Sequence, residues 1–497
     1  MLVLKEGVYE GPGNMNLISP AVQNLTICSE RGERSRTVVN LSSVSENGGP
    51  VTFIRMSATT LSLTVYGITF THFCLPYLDA RYQNASVIDS PYDAECVNIT
   101  RCAFHVATAR LVYLSPEVRS FVLRDVQFRN ISIFGSRFQL LKPSLKIGDQ
   151  HVIGNVTTFV EIDSIDSTNL DLPVPNDGPF LYASGAVNLT IRNSLFYHTK
   201  ARFAHVFLEP IFTEFSTLAP QLTVENCTFD SLSARVIGRP SASAFEIRSC
   251  NASLLVNNCT FSNNQHSQAV NLLFLHPSSV TFTQCNFTNN CHDTEDDIVE
   301  AGAMYLLEKV GNSLLKVERS TFFNNTAPND GGAVSCKMKD FSSTAHFYDC
   351  EMHANSAAQD GGHIFVLNGN FTVSSCNLTG GGATKGGAIS LVDSVLRMEH
   401  TSMCHNDAPM GGSFYCANSR VTVDQNSSFG HDGHGTVFCY YCDLSGSTAC
   451  TFWSPLTILT VVLFIVALLV FFAIALLIRY FKKKRSRELN YTLINET

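Results

Sequence analysis

Apolar positions in this chain seldom run together. They alternate with polar ones over a few residues, stop at a turn residue and resume, as in Asn24-Leu25-Thr26-Ile27, Leu63-Thr64-Val65-Tyr66 and Val421-Thr422-Val423. A period of two over such short runs predicts half-buried β-strands rather than amphipathic helices. The runs themselves recur. Gly331-Gly332-Ala333-Val334, Gly361-Gly362-His363-Ile364, Gly386-Gly387-Ala388-Ile389 and Gly411-Gly412-Ser413-Phe414 follow one another at nearly even intervals. Between them comes a large apolar residue and an Asn turn, at Phe322 and Asn325, Met352 and Asn355, and Met403 and Asn406. Upstream, Phe104, Phe128, Phe196, Phe229, Phe261 and Phe287 continue this register at similar intervals, apart from one double-length gap between Phe128 and Phe196. A masked coil near Phe159 to Ile165 would fill that gap.

A period fixed in the range of about 20 to 50 residues predicts a solenoid. One coil cannot bury its own apolar face, whereas coils stacked at about 4.8 Å bury a continuous core and pair their strands. The paired glycines are expected to supply the positive φ or the close backbone approach of a sharp corner. Counting phrases predicts about 13 to 16 coils and a rod of roughly 60 to 75 Å. The expected fold class is therefore all-β, a parallel β-helix over residues 1–450, with its clearest repeats at 227–426.

The Gly-Gly-Ala-Ile phrase followed by Phe-x-x-Asn resembles the repeat of chlamydial-type polymorphic outer-membrane proteins, which also occurs in protist surface proteins. The resemblance implies a right-handed β-helix of the pectate-lyase-like superfamily. It covers less than half the chain and is degenerate. Ala301-Gly302-Ala303-Met304 keeps one glycine of the pair, and Cys376-Asn377-Leu378-Thr379-Gly380-Gly381 loses its Asn.

One stretch breaks the pattern. Leu456 to Ile478 runs without a charge, preceded by Phe452-Trp453 and followed by Arg479, Lys482, Lys483, Lys484, Arg485 and Arg487. That length and that basic flank predict a transmembrane helix at 456–478, a juxtamembrane link at 451–455 and a cytoplasmic tail at 479–497. The protein is then expected at the plasma membrane with its N-terminal domain outside. The opening residues read as a coil already under way and lack a signal peptide, so a start further upstream is expected.

Composition agrees with an exterior location. All 17 cysteines precede the apolar stretch. So do fifteen Asn-x-Ser/Thr acceptor sites, at Asn24, Asn40, Asn84, Asn98, Asn130, Asn155, Asn188, Asn226, Asn251, Asn258, Asn286, Asn324, Asn370, Asn377 and Asn426. Cys227, Cys259, Cys285, Cys350 and Cys376 share one slot, two positions before the large apolar residue, and bridges among them are expected in an oxidising compartment.

Candidate chemistry is sparse. His431, His434, Cys439 and Cys442 have the residue types of a zinc site, but Cys404, Cys416 and Cys450 offer disulfide partners instead, so no metal is assigned. The acidic run His292 to Asp297 lacks calcium-loop spacing and reads as a solvated insertion. Gly433-His434-Gly435 matches one short polygalacturonase motif without the paired aspartates or the Arg-x-Lys, and Gly7 to Glu10 with Ile237 to Pro240 faintly resemble pectinesterase phrases. No catalytic residue, cofactor or nucleic-acid signature is assigned. Removing the tail's six Lys/Arg and two Asp/Glu from 34 and 42 leaves 28 against 40, which argues against polyanion partners.

The expected function is a single-pass surface glycoprotein with a non-catalytic adhesin or ligand-binding ectodomain, its ligand an extracellular glycan or protein. The alternative is a membrane-tethered polysaccharide lyase or hydrolase. In the tail, Tyr491 and Ile494 match the Tyr-x-x-apolar signal that clathrin adaptors bind as an extended strand. Tyr491→Ala is expected to raise surface residence in an uptake assay; unchanged uptake removes the sorting role.

Overall fold

The computed structural model describes all residues except 15–16, 42–51, 74–85, 91–94, 108–109, 115–117, 132–137, 141–144, 148–149, 153–157, 169–180, 185–186, 199, 202–205, 210–220, 235–241, 250–252, 292–298, 431–436, 447–468, 471, 475 and 480–497. Three long parallel sheets of 16, 15 and 15 strands run its length. The chain visits the first, second and third sheet in turn and then returns to the first one coil on, from Leu2–Leu4 to Asp443–Ser445. This is a parallel β-helix. Fifteen steps of about 4.8 Å between the strands of the first sheet give a rod of roughly 70 Å. A short antiparallel hairpin, Leu145–Ile147 with Gln150–Val152, is inserted after the third-sheet strand Phe138–Leu140.

The period-two runs fall in the first two sheets. In the first sheet Leu63, Val65, Val97 and Ile99 point inward and their neighbours outward. The second sheet carries one large inward residue per coil. Phe70, Phe104 and Phe128 stack with ring centroids 5.2 and 5.5 Å apart, and Phe196, Phe229, Phe261, Phe287 and Phe322 stack at 4.7 to 5.3 Å. Each such aromatic pair is worth about 0.5 to 1.5 kcal/mol beyond burial. The double-length gap between Phe128 and Phe196 holds the expected coil. Thr158–Asp163 pairs on both sides, and Ser167 takes the phenylalanine position between those two rings. Phe159 itself faces out, 57% exposed, while Ile162 and Ile165 fill the core.

Most coils turn from the first to the second sheet through one residue with φ near +50°, among them Arg101, Asp125, Asn193, Asn226, Asn258, Gln284 and Ser375. Asn tolerates that region best, and several coils use it. The next residue is the cysteine slot, which in other coils holds Ser194, Ser320 or Thr401. These occupants donate back to the carbonyl two positions earlier: Ser194 to Arg192 at 2.6 Å, Ser320 to Glu318 at 2.8 Å, Cys227 to Glu225 at 3.2 Å and Cys350 to Tyr348 at 3.3 Å. The five slot cysteines are thiols, not bridges, each turned to that carbonyl, and Cys227 with Cys259 and Cys350 with Cys376 also hydrogen-bond to each other. Burial holds the Cys285 thiol up at about 12.

The Asn of the Phe-x-x-Asn phrase is not the turn residue. Asn324, Ala354 and His405 have the positive φ, and the residue after each points inward. Asn264, Asn290, Asn325 and Asn355 form a buried amide ladder in which each Nδ2 donates to the next Oδ1 at 2.7 to 2.9 Å. At Gly381 the ladder loses its amide. His363, which replaces the alanine of the glycine phrase, fills the space: Nδ1 accepts from Asn355 at 2.9 Å and Nε2 donates to Asn406 at 3.2 Å. A Cβ on Gly381 would lie 2.8 Å from the imidazole, so the two departures from the repeat are one compensated exchange.

The glycine pairs divide their labour. Gly331, Gly361, Gly386 and Gly411 have φ between 62° and 73°. Gly332, Gly362 and Gly387 lie under the next coil, where a Cβ would fall 2.1 to 2.3 Å from its carbonyl oxygen. Ala301-Gly302 keeps the second role alone, since Ala301 has no positive φ.

Most of the apolar stretch at 456–478 lies outside the described residues. Those described between Leu469 and Arg479 are helical and exposed. No helix among the described residues is long and apolar enough to cross a membrane.

Burial holds His363 neutral, its pKa lowered from 6.5 to about 3, with Asn406 opposing and His353 reinforcing the shift. A folded pKa below the unfolded one means that stability present above pH 6.5 is lost as pH falls towards 3, at about 1.4 kcal/mol per unit. His363→Ala is therefore expected to cost about 2 to 4 kcal/mol at neutral pH by leaving two amides each short of a bond, and to flatten the acid dependence. Denaturant midpoints across pH check both; an unchanged acid slope removes the role of His363.

Candidate functional site

Sequence alternation places Asn and Thr of most acceptor motifs on the outer surface, with an apolar residue between them in the core. Asn98-Ile99-Thr100, Asn188-Leu189-Thr190, Asn286-Phe287-Thr288 and Asn377-Leu378-Thr379 all have this form. The Thr hydroxyl donates to its own Asn Oδ1 at 2.7 Å in the first and third and at 3.2 Å in the last. The twelve motif asparagines among the described residues are distributed unevenly. Asn24, Asn98, Asn188 and Asn370 lie on the first sheet, and Asn40, Asn130, Asn286 and Asn377 on the second. Asn226, Asn258 and Asn426 lie at the corner between these sheets, and Asn324 at the entry to the third. None of the twelve is in a third-sheet strand. Asn84, Asn155 and Asn251 are outside the described residues.

All four corner asparagines are engaged, Asn426 with His400 Nε2 at 3.1 Å. Asn258 donates to Asn226 at 2.8 Å and Asn226 to Asn193 at 3.3 Å, ending on Asp163. Asn324 belongs to a parallel outer ladder through Asn289 and Asn263 to Asp230.

The third sheet has a different exterior. Val270, Met304, Val334, Ile364 and Ile389 point into the core, so their neighbours point out. With Phe414 added to the inward row, the outward neighbours in register along the rod are Asn271, Tyr305, Ser335, Phe365, Ser390 and Tyr415, aromatic and small residues alternating over the last five; all are buried except half-buried Tyr415. Phe438 stacks on Tyr415 at 5.5 Å. The hydroxyls of Ser335 and Ser390 are buried between rings and find no hydrogen-bond partner among the described residues. A second outward row contributes half-buried Leu273, Leu307, Leu367 and Val392.

Charges gather along the edge of this face, where the glycine corners lead into it. Lys337 Nζ lies 2.5 Å from Glu300 and 3.6 Å from Asp330, between the rings of Tyr305 and Phe365 at 5.9 and 5.8 Å. Lys385 pairs with Asp360 at 3.3 Å and covers Tyr415. Burial raises the Asp330 carboxyl above its ordinary range; Lys337 opposes this, while Asp360 and Glu300 add to it. Each lysine is held by carboxylates, two lysines against three acids, so the edge is an ion-pair rail with one acid in excess.

Among the described residues the one cysteine group with metal-ligand proximity is Cys416, Cys439 and Cys442, and Cys416 is disulfide-bonded to Cys442. The sequence offered Cys404, Cys416 and Cys450 as disulfide partners for Cys439 and Cys442, and the structure pairs Cys416 with Cys442. His431, His434, the acidic run at 292–297, the Ile237 to Pro240 phrase and the tail residues Tyr491 and Ile494 lie outside the described residues. Near the start, Glu10 accepts from Asn40 at 2.7 Å and Tyr9 donates to the Lys5 carbonyl, which gives that phrase a structural role. The third-face ladder escaped the sequence because its members lie a full coil apart along the chain and read as core strands.

Neither a protein-family model nor a curated protein matches this chain.

Removing the rail's cation tests its electrostatics. Lys337→Met leaves Glu300, Asp330 and Asp360 facing one another and raises the folded pKa of Asp330 further above its unfolded value. Stability from that group is then present at low pH and lost as pH rises. A loss of about 3 kcal/mol is expected at neutral pH, shrinking towards pH 5 in denaturant titrations; a penalty independent of pH refutes the assignment.

Proposed function

We propose that this chain is a single-pass plasma-membrane glycoprotein whose right-handed β-helical ectodomain is a non-catalytic adhesin or ligand-binding scaffold, and that it binds through the outer face of its third sheet. One observation carries the reading: twelve acceptor asparagines lie on two faces and their corners, and none lies in the strands of the third. Glycans on those two faces would shield them. The third would carry no glycan, and the groups it offers a ligand are the half-buried Leu273, Leu307, Leu367, Val392 and Tyr415 over a buried layer of rings and serines. Support for the membrane anchor is the uncharged 456–478 stretch with its basic flank. Right-handedness is supported by the near-universal hand of strand crossovers between parallel neighbours. The likeness of the glycine phrase to surface-protein repeats favours the same setting. In the tail, Tyr491 and Ile494 would engage a clathrin adaptor.

The runner-up, a tethered polysaccharide lyase or hydrolase, draws on Glu300, Asp330, Asp360, Lys337 and Lys385 meeting on this same face. Mutual pairing of those charges favours the scaffold, because general acid–base work requires groups poised to exchange protons with a substrate.

Val392→Asn tests the face directly. Ser394 already supplies the second half of an acceptor motif, so this one substitution directs a glycan onto the third sheet. The full chain, made in glycosylating cells, is screened on an array of glycans and cell-surface proteins, with reducing-end release assayed on the same glycans. Binding without release is expected, abolished by Val392→Asn and retained when Thr288 and Thr379 are replaced by Ala to remove the Asn286 and Asn377 sites. Binding unaffected by the new glycan refutes the face, and release of reducing ends replaces the scaffold with the enzyme.

A further inference from the structure

The last coils bring three cysteines to one place. Cys416 and Cys439 are direct register partners on adjacent third-sheet strands and both face the core. Cys442 follows at the corner beyond. The three sulfurs lie within 4.8 Å of one another. Cys416 is bonded to Cys442 across a Cα separation of 6.4 Å, while Cys439 carries its sulfur as a thiol. Register partners in a sheet stand about 4.8 Å apart, inside the span of roughly 4.4 to 6.8 Å that a disulfide bridges. Cys416 therefore has two cysteines in reach and is bonded to one.

We propose that these residues form a thiol–disulfide exchange site. The Cys439 thiolate attacks Sγ of Cys416, a Cys416–Cys439 bond forms, the Cys416–Cys442 bond breaks, and Cys442 departs as the thiolate. Cys439 gives its proton to solvent and Cys442 takes one back, so one disulfide and one thiol remain and no oxidant or reductant is consumed. The two pairings differ in what they present. Cys439 is 9% exposed, whereas Cys442 is part-exposed at the corner. Exchange replaces an interior thiol with one that meets solvent. That thiol is then the chain's attachment point for a molecule carrying its own disulfide, with which it forms a mixed disulfide and releases a thiolate. The slot thiols cannot do this. They are buried, bonded to corner carbonyls, and not within reach of the surface.

The full chain is labelled with a maleimide in its native state from about pH 6 to about pH 9, a range spanning the ordinary thiol titration, then acid-quenched and mapped without reduction. Both Cys416–Cys442 and Cys416–Cys439 linkages are expected, with Cys442 labelling that rises roughly tenfold per pH unit until the thiol ionises. Cys439→Ser should leave only the Cys416–Cys442 linkage and abolish Cys442 labelling; Cys442→Ser should yield Cys416–Cys439. A wild-type map holding Cys416–Cys442 alone at every pH overturns the proposal, and does so whether or not either variant folds. Cys442 labelling that appears only after a chelator is added also overturns it, in favour of a bound metal ion.

Discussion

Every coil must lie one strand spacing above the last. That constraint makes each residue's chief neighbour the residue one coil away, at a distance set by backbone hydrogen bonds and not by side-chain choice. A side chain that fits once fits again, so the interior becomes a set of rows: phenylalanines on the second sheet, amides at the second corner, thiols and hydroxyls at the first. A row tolerates a substitution only when the volume and the hydrogen bonds at that level are supplied from elsewhere. Ser167 interrupts the phenylalanine row, and Ile162 and Ile165 of the same coil fill the core beside it. At Gly381 the amide row would leave Asn355 and Asn406 each short of a bond in the core, where a missing bond costs about 1 to 3 kcal/mol, and His363 reaches across to close it.

The same regularity explains what could be read from residues alone. Strand periodicity, the near-constant coil length and the glycine pairs led to the solenoid and to the hidden coil near Ile162, because these features depend only on local backbone and repeat length. Partnership between coils was less legible. Cysteines in one slot are all within bridging distance of their neighbours, so distance favours a disulfide at every level and discriminates none. In the structure each thiol is turned to the carbonyl two positions back, a contact that depends on corner geometry and not on the spacing between coils. Likewise Phe-x-x-Asn signals a corner, but whether the Asn or its predecessor takes the positive φ follows from which one faces the core.

Acceptor motifs need the same care. A strand with Asn and Thr outside and an apolar residue between them is an Asn-x-Thr motif by construction, so a polar-faced β-helix accumulates such motifs whether or not it meets a glycosyltransferase. Their number is therefore weaker support for an exterior location than their distribution is for a division among faces. Two sheets turn Asn, Thr and charged residues outward. The third sets a buried layer of rings and serines beside half-buried leucines, and places two lysines against three carboxylates to one side.

That arrangement bears on the choice between chemistry and display. Catalysis by carboxylates and lysines needs groups whose ionisation is biased but whose protons are free to move to a substrate. Asp330 is biased, but Lys337 lies between it and Glu300 and also packs against two rings, so movement of that ammonium would expose aromatic surface and leave its carboxylate partners uncompensated at once. A rail that depends on every member staying in place suits a rigid face better than a reacting one. The regular coil spacing supplies the rest, since it holds successive outward residues of the third sheet in a straight line that a long ligand can follow without bending the protein.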